Sequence, residues 1–191
     1  AELVQAARAT MSGEHLLGET EIVEEVDRFF RARLKAMFGA EASSDVIDAV
    51  VSCGVDDLSA TAQKINVLSE LKGSEEFLQL VSAFKRVANI LKKETPDKGV
   101  SSDLFSDEAE KDLWTTFLAC QGEVNEALKG RKFQTAANHL ISLKPSIDLF
   151  FNEVLVMAKD EAVRTNRLAL LRELRDLFGE IADISRIQVD G

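Results

Sequence analysis

The residues of this chain best suited to chemistry are its cations, and the chemistry they suit is the holding of a polyanion. In "AFKRVANILKK", residues 83–93, four cations stand within nine positions of an apparent helix. At an advance of about 100° per residue, Lys85, Arg86, Asn89, Lys92 and Lys93 share an arc of roughly 120°. Phe77, Leu80, Val81, Phe84, Val87 and Leu91 fall on the opposite side. Such a face is either the solvated exterior of an amphipathic helix or a track for phosphates. A second group comes late in the chain. Arg164, Arg172, Arg175 and Arg186 fall within about 80° of one another on an expected last helix, with Arg167 at the border of its apolar stripe. Intrahelical pairs such as Arg172–Asp176 compete with any binding role there. Asn166 could read base edges, or Asn166 and Arg167 could instead fix the entry of their helix. Arg131 and Lys132 stand beside Phe133, which of the phenylalanines is the one expected at a surface.

Other chemistries lack their residues. Cys53 and Cys120 have no C-x-x-C spacing, and His15 and His139 have no ligand-spaced neighbours. Two reduced, buried thiols are expected, and a metal site is not. No Gly-rich phosphate loop and no G-x-S-x-G elbow occurs. The formal charge of −10 argues against loose binding of polyanions, but not against a shaped cationic site. Locally, residues 81–100 carry five bases (Lys85, Arg86, Lys92, Lys93, Lys98) against two acids (Glu94, Asp97). No apolar run approaches the ~20 residues that span a bilayer, so no membrane partner is expected. The sequence opens without Met, and a fragment of a longer chain is expected.

The elements that must position these side chains read as helices throughout, an all-α chain. "EIVEEVDRFFRARLKAMF" places Ile22, Val26, Phe29, Phe30, Leu34 and Met37 at three- and four-residue steps, before Gly39. "DVIDAVVSC" and "DLSATAQKINVLSELKG" predict two shorter helices, and Ser74-Glu75-Glu76 opens the cationic one. "ETPDKGVSSDLFS", residues 94–106, has loop chemistry and suggests a domain boundary. Beyond it come helices over 107–130, 132–143, 145–158 with Pro145 in the first turn, and 160–188. Four antiparallel helices with short connections predict a bundle. Trp114, in the pattern "LWTTFL", is expected in the core.

The segments "FFRARLKAMF", "DVIDAVV", "AFKRVANILKK" and "SIDLFFNEVLVMAKDEAVRTNRLALLRELRDLFGEIADIS" stand in this order. Together they resemble the C-terminal part of the β subunit of bacterial-type tetrameric glycyl-tRNA synthetase, over roughly residues 20–188.

The resemblance implies a division into an N-terminal extension (1–19), a helical linker region (20–93), a loop (94–106) and an anticodon-binding domain (107–188). That last domain would resemble the one of arginyl-tRNA synthetase. The implied function is tRNA recognition in support of glycine attachment, in the cytoplasm, with no catalytic residue of its own. ATP and magnesium would belong to the active site of the α subunit, and no cofactor to this fragment. Glycine tRNA and the α subunit, in a heterotetramer or a fused chain, are the implied partners. The tRNA-binding candidates are Arg164, Asn166, Arg167, Arg172, Arg175, Arg131, Lys132, Lys85, Arg86, Asn89, Lys92 and Lys93. Because the α-helical cations 85–93 precede the expected domain, phosphate contact, or docking against acids elsewhere in the β chain, rather than base reading is their expected role. The alternative is a helical scaffold that binds proteins and no nucleic acid.

Overall fold

Three helix starts are set by side chains that satisfy amides left free in the first turn. Asp57 Oδ1 accepts from the Ser59 and Ala60 amides at 2.8 and 3.1 Å, and Asp160 Oδ1 from Ala162 and Val163 at 2.9 and 3.0 Å. Ser74 Oγ accepts from the Phe77 amide. The computed structural model describes residues 19–55, 57–94 and 96–189. Among these, α1 is Glu19–Phe38, α2 Ser44–Val51, α3 Leu58–Leu71 and α4 Glu75–Lys93. After a 3-10 turn at Ser102–Leu104 come α5 Glu108–Lys129, α6 Phe133–Ile141, α7 Lys144–Glu153 and α8 Glu161–Gly179, then a 3-10 turn at Ile184–Arg186. No strand occurs among the described residues, in line with the all-α expectation. No helix of the described residues is long and apolar enough to cross a membrane.

The chain divides after Glu41, into 1–41 and 42–191. In the first unit the described part is α1 with its closing turn; of the expected extension over 1–19, residues 1–18, with His15, lie outside the described residues. Leu34 and Phe38 are buried, whereas Val26, Phe29 and Met37, expected on the same stripe, are exposed. The Phe30 side chain lies outside the described residues.

In the second unit the structure corrects the expected boundary at 94–106. That loop lies inside one compact unit, because α3 and α4 bury their apolar faces on the elements beyond it. α5 packs on α6 and α7, α4 on α8, α3 on α6, and the final 3-10 turn on both α2 and α4. The Phe84 and Phe178 rings meet with centroids 4.0 Å apart. Residues 42–93, about a third of the second unit, therefore pack within it rather than link to it.

Two expected helices stop short. α7 ends at Glu153 and the chain continues extended from Val154, burying Val154 and Val156. α8 ends at Gly179, and residues 180–188 turn back so that Ile181, Ala182, Ile184 and Ile187 are buried. The Asp183 amide donates to Ala49 O at 2.9 Å. Arg186 is thus not on the helix that carries Arg175. Cys120 is buried as expected, its thiol pushed up to about 11 by burial, but Cys53 is exposed; both are free. Trp114 is half-buried and stacks on Phe117 at 5.2 Å.

Asp45 pins the returning C-terminal segment. Its carboxylate accepts from Lys72 Nζ at 2.8 Å and from the Gln188 amide at 2.6 Å. Burial pushes this carboxyl up, but Lys72, Ser43 and the Gln188 amide outweigh burial and hold it well below its ordinary 3.8. A carboxyl lowered on folding stabilises fully above its unfolded value and loses that contribution as pH falls through the folded one. Protection of the amides of residues 183–188 against hydrogen exchange, relative to their intrinsic rates, should therefore fall in acid, below about pH 4, where exchange accelerates against that reference. Asp45→Asn should produce the same acceleration at neutral pH, and unchanged protection there would show that the segment is held by its isoleucines alone.

Candidate nucleic-acid interface

Polar groups along α8 are turned toward the segment 94–110, and they account for most of the late cations. Arg164 Nε donates to Glu94 at 3.3 Å and its Nη1 to Ala158 O at 3.3 Å. Asn166 is buried and makes a two-way clasp with Ser101: Oδ1 accepts the Ser101 amide at 2.7 Å and Nδ2 donates to Ser101 O at 2.9 Å. Arg172 donates to Pro96 O at 2.8 Å and Lys98 O at 3.1 Å. A loop's backbone groups need partners when they leave water, and here side chains of one helix supply them.

Arg167 is 5% exposed and Glu110 is fully buried. Arg167 Nε meets Glu110 Oε1 at 2.9 Å, and Nη2 reaches Glu110 Oε2, Ser106 Oγ and Asp107 Oδ2 at 3.2, 2.8 and 2.6 Å. Nη1 donates to Leu155 O at 2.8 Å. Glu110 also accepts the Ser106 and Asp107 amides, each at 2.9 Å, which closes the start of α5. Burial pushes the Glu110 carboxyl up, but Arg167 and these amides pull it below its ordinary value; Glu110 in turn raises Arg167.

The candidates for tRNA contact therefore separate. Asn166 and Arg167 are inside the protein and cannot reach a nucleic acid, so of their two readings the structural one holds. Arg164 and Arg172 are turned to the loop. Arg131, at φ 54°, pairs with Asp57 at 2.7 Å, and Lys132 is exposed beside it. Phe133 is buried rather than at the surface, with Lys64 Nζ 5.8 Å from its ring centroid. Arg175 is partly exposed and pairs with Asp176 at 2.7 Å, one step along the chain rather than four. Arg172 likewise pairs with its neighbour Glu173, not with Asp176.

The α4 face is different. Arg86, Asn89, Lys92 and Lys93 are exposed and Lys85 half-exposed. Among the described residues none of these cations has a carboxylate partner; Arg86 instead meets the Phe151 ring, its guanidinium carbon 4.3 Å from the ring centroid. One edge of the face borders an open groove of about 600 Å³ that Lys92, Arg175, Arg186 and Asp183 line. Arg186 is held there by Asp183 at 3.0 Å. Among the described residues no three His, Cys, Asp or Glu gather to hold a metal ion.

Sequence reasoning missed Glu110, Ser101 and Phe151. For Glu110 a signal existed: Asp107-x-x-Glu110 is a capping-box spacing, which marks a carboxylate turned inward at a helix start. For Ser101 and Phe151 there was none, since their partners lie 65 residues away in one case and on a different helix in the other.

Residues 80–189 match the DALR anticodon binding domain. The chain is 40% identical over 176 residues to the glycine–tRNA ligase beta subunit of Myxococcus xanthus, covering 91% of this chain and 25% of that relative. It is 40% identical over 186 residues to that of Citrifermentans bemidjiense (97% and 27%) and 36% over 168 residues to that of Clostridioides difficile (87% and 24%). The chain spans about a quarter of the length of these relatives.

Breaking a buried pair by removing one partner costs about 3–5 kcal/mol, because the other charge stays behind. Arg167→Ala should lower the unfolding free energy by about that amount, measured in denaturant, and Arg167→Lys should recover little of it, since an ammonium cannot reproduce the fork. Arg172→Ala should leave the helix content intact but open residues 94–100 to proteolysis; equal resistance in both proteins would mean that Asn166 alone secures the loop.

Proposed function

Because the chain belongs to the DALR anticodon binding domain family, we propose that it is the anticodon-binding part of a glycyl-tRNA synthetase β subunit and that its α4 face receives the anticodon arm of glycine tRNA. The observation that carries this reading is the start of the family match at residue 80, within α4. The cations of α4 then belong to the binding domain itself rather than to a linker ahead of it. Among the described residues they have no carboxylate partners, whereas Arg164 and Arg172 of α8 are used to hold a loop.

The electrostatics suit an encounter that is local and shaped. Against an overall charge of −10, the α4 face concentrates positive potential on one side of the unit. Lys92 borders the groove, where Arg175 and Arg186 extend the cationic surface toward the C-terminal turn. Phosphates of the RNA backbone engage these groups and set the register, and splayed bases are then within reach of the domain. In this reading the glycine activation with ATP and magnesium is the work of an α subunit, joined to the β subunit in a tetramer or a fused chain. The assembly is cytoplasmic.

The reading is tested through salt. On single strands each phosphate contact contributes about −0.7 to the slope of log affinity against log salt, and on duplex about −0.9. Replacing Lys85, Lys92 and Lys93 together by Gln should flatten the slope for glycine tRNA by roughly 2 to 3. The same substitution should weaken other tRNAs in proportion. A slope that does not move would return these lysines to the role of solvated surface and favour the scaffold alternative.

A further inference from the structure

We propose that Arg86, Phe151 and Leu155 form a platform on which one unpaired base of the bound RNA stacks, an inference that rests on the RNA-binding reading and names the part of the surface that grips a base rather than a phosphate. The Arg86 guanidinium carbon lies over the Phe151 ring, 4.3 Å from its centroid, and the Arg86 side chain is otherwise exposed, so the ring covers one side of the cation and leaves the rest open to solvent. The ring itself is braced edge-on by the fully buried Phe150, with centroids 5.6 Å apart. A flat cation fixed in this way is a surface for a second flat group.

Leu155 follows four residues after Phe151, on the extended segment that leaves α7. It is 71% exposed, while Val154 and Val156 on either side of it are buried. Its carbonyl is held by Arg167 Nη1 at 2.8 Å, and the Ala158 amide closes onto Val156 O at 2.9 Å. The backbone is therefore clamped in the pose that turns Leu155 outward, and the side chain is presented on a fixed support. Met157, two residues on, is exposed in the same alternation.

The occupant follows from the charges around the platform. Glu153 is exposed between Phe151 and Leu155 and among the described residues has no cation of its own, so a phosphate is repelled from this spot. A heterocyclic base carries no net charge and has a π face for the guanidinium and an apolar edge for the leucine. The cationic face of α4 continues from Arg86 through Asn89 and Lys93, which makes the platform the border of the proposed phosphate track. Arg86 and Lys92 sit about 120° apart around α4, so phosphates and a base are received on opposite edges of one helix.

The experiment uses the full chain and an anticodon stem–loop RNA of glycine tRNA with 2-aminopurine placed in turn at each loop position. Arg86→Lys keeps the charge and removes the planar stack. It should weaken binding about tenfold and abolish the stacking quench of one 2-aminopurine, with the salt slope unchanged. Leu155→Ser should weaken binding about fivefold with the same pattern. If both variants bind and quench as the original chain does, while the lysine triple variant flattens the slope, the platform is overturned and the RNA-binding reading stands. If the unaltered chain binds no RNA, the failure lies in that reading. Self-association of the chain that Leu155→Ser abolishes, with RNA affinity intact, would assign the patch to a second copy and overturn the base platform as well.

Discussion

A guanidinium and a carboxylate taken out of water together must find their hydrogen bonds inside the protein, and that condition organises the second unit of this chain. Arg167 and Glu110 meet it by recruiting Ser106, Asp107 and the carbonyl of Leu155. One ion pair thus joins the start of α5, the extended segment after α7 and the middle of α8. Pairs of this kind contribute little net stability compared with apolar replacements, but they tolerate few arrangements. Their effect here is placement: they fix where the 94–107 segment ends and which way Leu155 faces.

From that placement follows the division of the cations. α8 spends its outward polar groups on the long loop, through Arg164, Asn166 and Arg172, so the loop is part of the rigid body and not a hinge. α4 needs no such service from its own outer face, because Phe77, Leu80, Val81, Phe84, Val87 and Leu91 already anchor it. Its lysines and Arg86 are left to solvent or to a ligand. The two cationic groups are alike in composition and opposite in use, and the difference lies in which of them has a loop across it.

The same logic explains the edges of the α4 face. The groove edge is built by the returning C-terminal segment, which brings Arg186 and Asp183 beside Lys92 and Arg175. The other edge is built by α7, which brings Phe151 under Arg86. The groove edge depends on the turn back after Gly179, and the exposure of Leu155 beside the other edge on the end of α7 at Glu153; at both places an expected helix stops so that isoleucines or valines can be buried.

The sequence by itself determined where most helices run, the Ser74 cap and the cationic face of α4, because these depend on neighbours three or four residues away. Ser74, Pro145 and the apolar stripe of α4 were legible for that reason, and so was the resemblance carried by "AFKRVANIL" and "NRLALL". It could not separate a loop from a linker. "ETPDKGVSSDLFS" has the composition of both, and what makes it a loop of one domain is a set of partners on α8 some 60 to 76 residues away. Nor could spacing tell a buried arginine from an exposed one: Arg167 and Arg175 lie two turns apart on one helix, and only the first has a buried carboxylate facing it. Burial of a charge is decided by what tertiary packing brings opposite it, because its desolvation must be met by a partner that the local sequence does not contain.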